Sequence, residues 1–116
     1  MIKRNAEMEK EVRERMREGT GTTEIVHVFR KGELTSGKTR LFARMRLPPG
    51  SSIGYHRHDA EEEIFYILAG TATVTDDGSV STVGAGDAVL TGDGHSHSIA
   101  NNGSEPLEFM AVILQY

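Results

Sequence analysis

Four of the five histidines stand in two tight groups, His56-Arg57-His58 and His95-Ser96-His97. Residues two apart on a strand point to the same side, so His56 and His58 can turn two imidazoles toward one point. Glu63 opens the next apolar run after a short turn, and an antiparallel return would bring its carboxylate beside them. A histidine of the second group would complete three nitrogens and one oxygen. Such a set suits a divalent Mn, Fe, Co, Ni, Cu or Zn ion and leaves positions open for water or substrate. A single His-x-His is more often an ordinary surface pair beside acidic residues. The added glutamate and second cluster shift the balance toward a metal.

These residues need rigid elements to hold them. From Thr20 onward the apolar pattern is short and alternating, which predicts strands at 23–29, 39–47, 52–58, 63–68, 71–76, 80–83, 88–90, 97–101 and 107–116. Asp77-Gly78 between two alternating runs marks a hairpin. Many short strands at close spacing indicate an all-β sandwich or small barrel, and the lack of alternating helices excludes a parallel α/β sheet. Before Thr20, Met8, Val12 and Met16 recur at i, i+4, i+8, and Glu9–Arg13 and Glu11–Arg15 form i, i+4 pairs. This predicts a helix over 6–18, closed by Gly19 and Gly21, with a short strand at 2–4 before it. The runs 63–69 and 107–114 are apolar on both faces, so a second face needs cover from the N-terminal segment or from another subunit; a homodimer is expected.

At 116 residues the chain accommodates one domain. It is divided here into an N-terminal extension, 1–19, packing on the barrel or on a dimer partner, and a barrel domain, 20–116. No cysteine is present, which excludes disulfides, thiolate metal sites and cysteine nucleophiles. With no signal-peptide pattern and no apolar run long enough to cross a bilayer, a cytoplasmic protein is expected. The formal net charge is −4. It is split between basic residues 1–49 and an acidic stretch, 50–110, with ten acidic side chains against Arg57. An acidic chain argues against nonspecific nucleic-acid binding. The basic group Arg30, Lys31, Lys38, Arg40, Arg44 and Arg46 reads first as solvated strand edges.

The spacing carries a resemblance. Gly50, His56, His58, Glu63 and Gly70 match G-x5-H-x-H-x4-E-x6-G, the first motif of the cupin superfamily. Gly86, Gly94, His97 and Asn101 match the second, G-x5-P-x-G-x2-H-x3-N, with Gly92 where proline is usual. The motifs span 50–101. The resemblance implies an antiparallel β-barrel of jelly-roll type, usually dimeric, with a metal on His56, His58, Glu63 and His97. The motif chooses His97 over His95, which could still reach the pocket.

Around the metal, Phe65 and Ile67 are expected to face inward, with the apolar side of 39–47 (Leu41, Ala43, Met45, Leu47) in preference to its arginine side (Arg40, Arg44, Arg46, with Phe42). Candidate proton donors or bases are Tyr55, Glu62, Tyr66 and His95; packing is the plainer role of the two tyrosines, an exposed loop position is an equal reading of His95, and Glu61 and Glu62 solvate the turn unless one of them acts as a base behind the ligands. His27, in Val-His-Val, reads as a half-buried strand histidine.

Three neutral imidazoles and one carboxylate leave a divalent ion positively charged and open to a carboxylate, keto or enediol group, or to dioxygen on Fe or Mn. Two functions remain. One is a metal-dependent enzyme of dioxygenase, decarboxylase or isomerase type acting on a small oxygenated molecule, with Mn or Fe expected. The other is a metal-anchored module that binds a small ligand without turnover. Residues 47–70 resemble the compact relatives of oxalate decarboxylase. The larger members use a lid carrying a catalytic carboxylate, and little of this chain is left for one.

Overall fold

The computed structural model describes all residues, Met1–Tyr116. Ten strands run in chain order as β1 (Glu9–Glu14), β2 (Thr22–His27), β3 (Thr39–Leu47), β4 (Ser52–Arg57), β5 (Glu61–Ala69), β6 (Thr71–Asp76), β7 (Ser79–Gly84), β8 (Ala88–Gly92), β9 (Ser96–Ala100) and β10 (Leu107–Gln115). They form a six-stranded sheet, β1-β2-β3-β10-β5-β8, and a four-stranded sheet, β4-β9-β6-β7. All pairings are antiparallel. From β3 onward the chain passes back and forth between the sheets, so strands close in sequence face one another across the core. No helix is long and apolar enough to cross a membrane.

The expected closed barrel is not formed. Backbone hydrogen bonds end at β1 and β8 in one sheet and at β4 and β7 in the other, leaving a two-layer sandwich. Its core is fully buried: Ile25, Ala43, Met45, Leu47, Phe65, Ile67, Leu107, Phe109 and Ala111 from the larger sheet against Ile53, Ala72, Val74 and Ile99 from the smaller. On β3 the apolar face is the inward one, as alternation predicts.

The expected N-terminal helix is also absent, as is the short strand at 2–4. Single 3-10 turns occur at Asn5–Glu7 and Met16–Glu18, and residues 9–14 are the edge strand β1, paired with β2. The spacing of Met8, Val12 and Met16 is even, so strand alternation accommodates it as readily as a helix does, and of the three only Val12 lies in β1. Edge pairing with β2 decides between these, and the charges follow it. Glu11 and Arg13, two apart, meet side by side at 3.1 Å, which a strand allows and a helix does not.

Between β1 and β2 the chain forms a strap, residues 15–21, laid along β4. Arg15, Arg17 and Glu18 all take left-handed backbone angles, with φ of 50°, 53° and 64°. Each such angle in a residue with a side chain costs on the order of 1 kcal/mol. Stitching to β4 offsets this cost. Ser52 N–H donates to the Thr20 carbonyl at 2.8 Å, and Thr20 Oγ1 donates to the Gly50 carbonyl at 2.9 Å. Gly19 and Gly54 let the two backbones touch: a Cβ on Gly54 would overlap the Arg17 carbonyl oxygen, and one on Gly19 the Ser52 carbonyl oxygen.

Because the obstacle at Gly54 is backbone, Gly54→Ala should cost about 2 kcal/mol or more in denaturant unfolding. Gly32→Ala, where an added Cβ meets nothing within 4 Å, should stay within about 0.5 kcal/mol of wild type.

Candidate metal centre

Strict alternation along β4 would turn the wrong residues inward. Ile53 is buried and faces the core, so the next inward positions would be Tyr55 and Arg57. The register shows why they are not: Ile53 pairs with Ile99, and His56 with His97. Two residues of β4, Gly54 and Tyr55, therefore oppose the single Ser98. This β-bulge shifts the facing by one residue. His56 turns inward beside His97, and Tyr55 is left 53% exposed. His58 follows β4 and is fixed through its backbone: its N–H donates to the His95 carbonyl at 3.0 Å, and its carbonyl accepts from Gly94 N–H at 2.9 Å. Glu63 shares the inward face of β5 with Phe65 and Ile67. His97 shares that of β9 with Ile99, its ring stacked on Phe65 at 4.8 Å and 7°.

The four side chains converge. Glu63 Oε1 lies 3.0 Å from His97 Nε2, 3.1 Å from His58 Nε2 and 3.9 Å from His56 Nε2. His97 Nε2 is 3.0 Å from His58 Nε2 and 3.2 Å from His56 Nε2. His58, Glu63 and His97 are buried. The outer ring nitrogens show what this cluster requires. His56 Nδ1 is 2.6 Å from the Gly54 carbonyl, which only accepts, so the ring's proton sits there. His58 Nδ1 faces the Glu61 carboxylate at 3.4 Å in the same sense. In the neutral rings both Nε2 lone pairs then point at the Glu63 oxygen, and lone pairs converging on a carboxylate repel unless a cation stands between them. Donors about 2.1 Å from one ion are about 3.0 Å apart at right angles and about 3.4 Å at tetrahedral angles, the range in which most of these spacings fall. The cluster is suited to a metal ion.

The local electrostatics agree. Burial pushes the Glu63 carboxyl up, but His56, His58 and His97, when their Nε2 atoms carry protons, outweigh it and hold the group well below the ordinary carboxylate range; a metal ion would take the place of those protons. Glu63 in turn raises His58 against the opposing effect of burial. Burial lowers His97 and favours the neutral ring that a ligand must be. Behind His58, Glu61 is held by Arg40 at 3.0 Å, giving a carboxylate–histidine pair of the kind that orients metal ligands. Arg40 owes its position to a second irregularity. Ile113 pairs with Leu41 and Leu114 with Thr39, so Arg40 is the extra residue and leaves the outward row of Arg44 and Arg46.

A cavity of about 240 Å³ opens over the cluster. Arg13, Met16 and Arg17 from the N-terminal segment line it with Ile25, His27 and Arg40, beside His56, His58 and Glu63. His27 bonds Glu11 at 2.7 Å and is not among the converging donors. Of the four other singled-out residues, Tyr55 and Tyr66 are exposed, Glu62 stands on the opposite face of β5 to Glu63, and His95 points outward. His95 bonds Asp77 at 2.8 Å, which draws it up. Arg13 and Arg17, which line the cavity, fall within the expected helix 6–18, and their residue types and spacing carry no mark of the site. Of Glu61 and Glu62, either of which could back the ligands, Glu61 is the one behind His58, as alternation from Glu63 places it.

Asn101, the last motif residue, has a structural task. Its Nδ2 donates to the Leu47 and Glu105 carbonyls, both at 2.8 Å, and its Oδ1 accepts from Gly103 N–H at 3.0 Å. At Gly92, where proline is usual, a Cβ would press on Glu62 of the paired strand.

Residues 43–113 match the cupin domain family. The chain is a cupin. It is 47% identical over 114 residues to the oxalate-binding protein of Thermotoga maritima, covering 98% of this cupin and 93% of that protein. A crystal structure described as a predicted oxalate decarboxylase from the same organism superposes with a TM-score of 0.94 at 46% identity, over all of both chains. An uncharacterized protein of Methanocaldococcus jannaschii is 30% identical over 94 residues, 81% of this chain and 72% of that one.

His58→Ala should abolish stoichiometric metal uptake, measured by plasma mass spectrometry on tag-free protein, while His27→Ala should retain it.

Proposed function

We propose that this cupin holds one divalent transition ion on His56, His58, Glu63 and His97 and uses it to anchor a small carboxylic acid of the oxalate type. The observation that carries the reading is the convergence of three imidazole nitrogens and one carboxylate oxygen at the floor of a small, arginine-lined cavity. Three imidazole nitrogens and one carboxylate oxygen suit a divalent ion such as Mn2+ or Fe2+ with coordination positions left for a ligand. When bound, such an ion supplies a Lewis acid with open positions. The cavity is smaller than the roughly 300–1,000 Å³ of pockets that take drug-sized molecules. The name of the Thermotoga relative points to the same class of ligand.

Binding is preferred to turnover because Tyr55, Glu62, Tyr66 and His95 all lie off the cavity lining. One observation supports a catalytic version: His27 lines the cavity with a carboxylate, Glu11, on its ring, the arrangement of a general acid–base pair. If oxalate is consumed, His27→Gln should lower kcat by about 100-fold or more with metal content unchanged.

We further infer that a second copy covers the outer face of the larger sheet. Tyr66, Leu68 and Leu90 are exposed there around Phe42, Val112 and Ile64. Arg44 and Glu62, neither in an ion pair, occupy the rows on either side of Phe42, Val112, Ile64 and Leu90, which a twofold contact can make self-complementary. The N-terminal turn reaches only the margin, where Met8 lines a groove with Val26, Val28 and Leu68.

Calorimetric titration with oxalate should show one site per metal-loaded chain and no heat of binding after the metal is stripped; binding that survives stripping would overturn the anchoring role. Light scattering should give a dimer for the wild type and a monomer for Leu68→Glu.

A further inference from the structure

Three arginines line the cavity, and two are already matched. Arg13 pairs with Glu11 at 3.1 Å, and Arg40 with Glu61 at 3.0 Å. Arg17 reaches the cavity wall from the strap and forms no ion pair or side-chain hydrogen bond. The strap is built to put it there. Arg17 itself has φ of 53°, between Arg15 at 50° and Glu18 at 64°. The strain is held by the Gly19–Gly54 contact and by Met16, which packs against the core. Left-handed angles in consecutive side-chain residues persist only where the surroundings fix them, and they gather at ligand sites.

We infer that Arg17 is the second anchor of the site and makes it selective for dianions. It would grip the outward carboxylate oxygens of an acid whose inner oxygens meet the metal. The charge balance supports this. Three arginines against Glu11 and Glu61 leave one positive charge on the walls. A divalent ion against Glu63 leaves one more on the floor. A dicarboxylate neutralises both, whereas a monocarboxylate leaves Arg17 unmatched. The guanidinium fork suits a paired contact with carboxylate oxygens. The inference rests on the metal-anchored carboxylate reading and adds a residue from the N-terminal segment, outside residues 43–113 that match the family.

The test is calorimetric titration of oxalate, and separately of acetate, into metal-loaded wild type, Arg17→Met and Arg15→Met. Arg15 shares the strap and its strained backbone but does not line the cavity. Removing one charge-assisted contact should weaken oxalate binding at least about tenfold in Arg17→Met. Acetate binding, metal stoichiometry and melting temperature should be unchanged, and Arg15→Met should bind both acids as wild type does. Oxalate affinity in Arg17→Met equal to that of wild type would overturn the role of Arg17 alone. Equal losses in both variants would overturn it too, showing a nonspecific charge effect. Failure of the wild type to bind oxalate would overturn the parent reading and this one with it.

Discussion

One extra residue in β4 sets the chemistry of this molecule. An unbroken strand from Ile53 would carry Tyr55 and Arg57 into the core and His56 out to solvent. The bulge at Gly54 and Tyr55 reverses that order and brings His56 opposite His97 in the paired strand. Gly54 serves the bulge in three ways. It supplies a position in the bulge, its carbonyl fixes the His56 ring at Nδ1, and its missing side chain lets the strap lie against β4. The metal cluster and the N-terminal wall of the cavity thus depend on the same few backbone atoms.

Burying Glu63 among apolar side chains is costly unless its charge is met. In this cupin His97 Nε2 reaches it at 3.0 Å, while His56 and His58 have their protons directed outward, by the Gly54 carbonyl and by Glu61. What remains at the centre is electron-rich, an arrangement that a cation completes. The surroundings hold the rings in place by simple means: Phe65 stacks on His97, and the 92–95 turn is bonded to the His58 backbone. Around this floor Arg13, Arg17 and Arg40 line the cavity over Glu63 and its histidines.

Much of this was legible in the residues. β3 and β6 begin and end where alternation places them, and the other strands from Thr22 onward differ only at their ends. The spacing of His56, His58, Glu63 and His97 pointed to one centre. The failures have physical causes. An i, i+4, i+8 pattern has an even period, so Met8, Val12 and Met16 fit a strand as readily as a helix; edge pairing with β2 decided it. Arg40 left the outward row because a bulge moved it, and bulges leave no mark in an alternating pattern. Arg17 was hidden because its place depends on the strap's contact with β4, more than thirty positions along the chain. Closure of the barrel was inferred from resemblance, whereas the hydrogen-bonded edges of the two sheets stay apart.

The central claim is that one divalent ion sits where the four donors meet. Anomalous diffraction from crystals of the Mn2+-loaded protein tests it most directly. The account predicts a single strong peak about 2.1–2.3 Å from His56 Nε2, His58 Nε2, His97 Nε2 and a Glu63 carboxylate oxygen. No peak there at full Mn2+ loading, or a peak elsewhere on the chain with the rings hydrogen-bonded to one another, would contradict it.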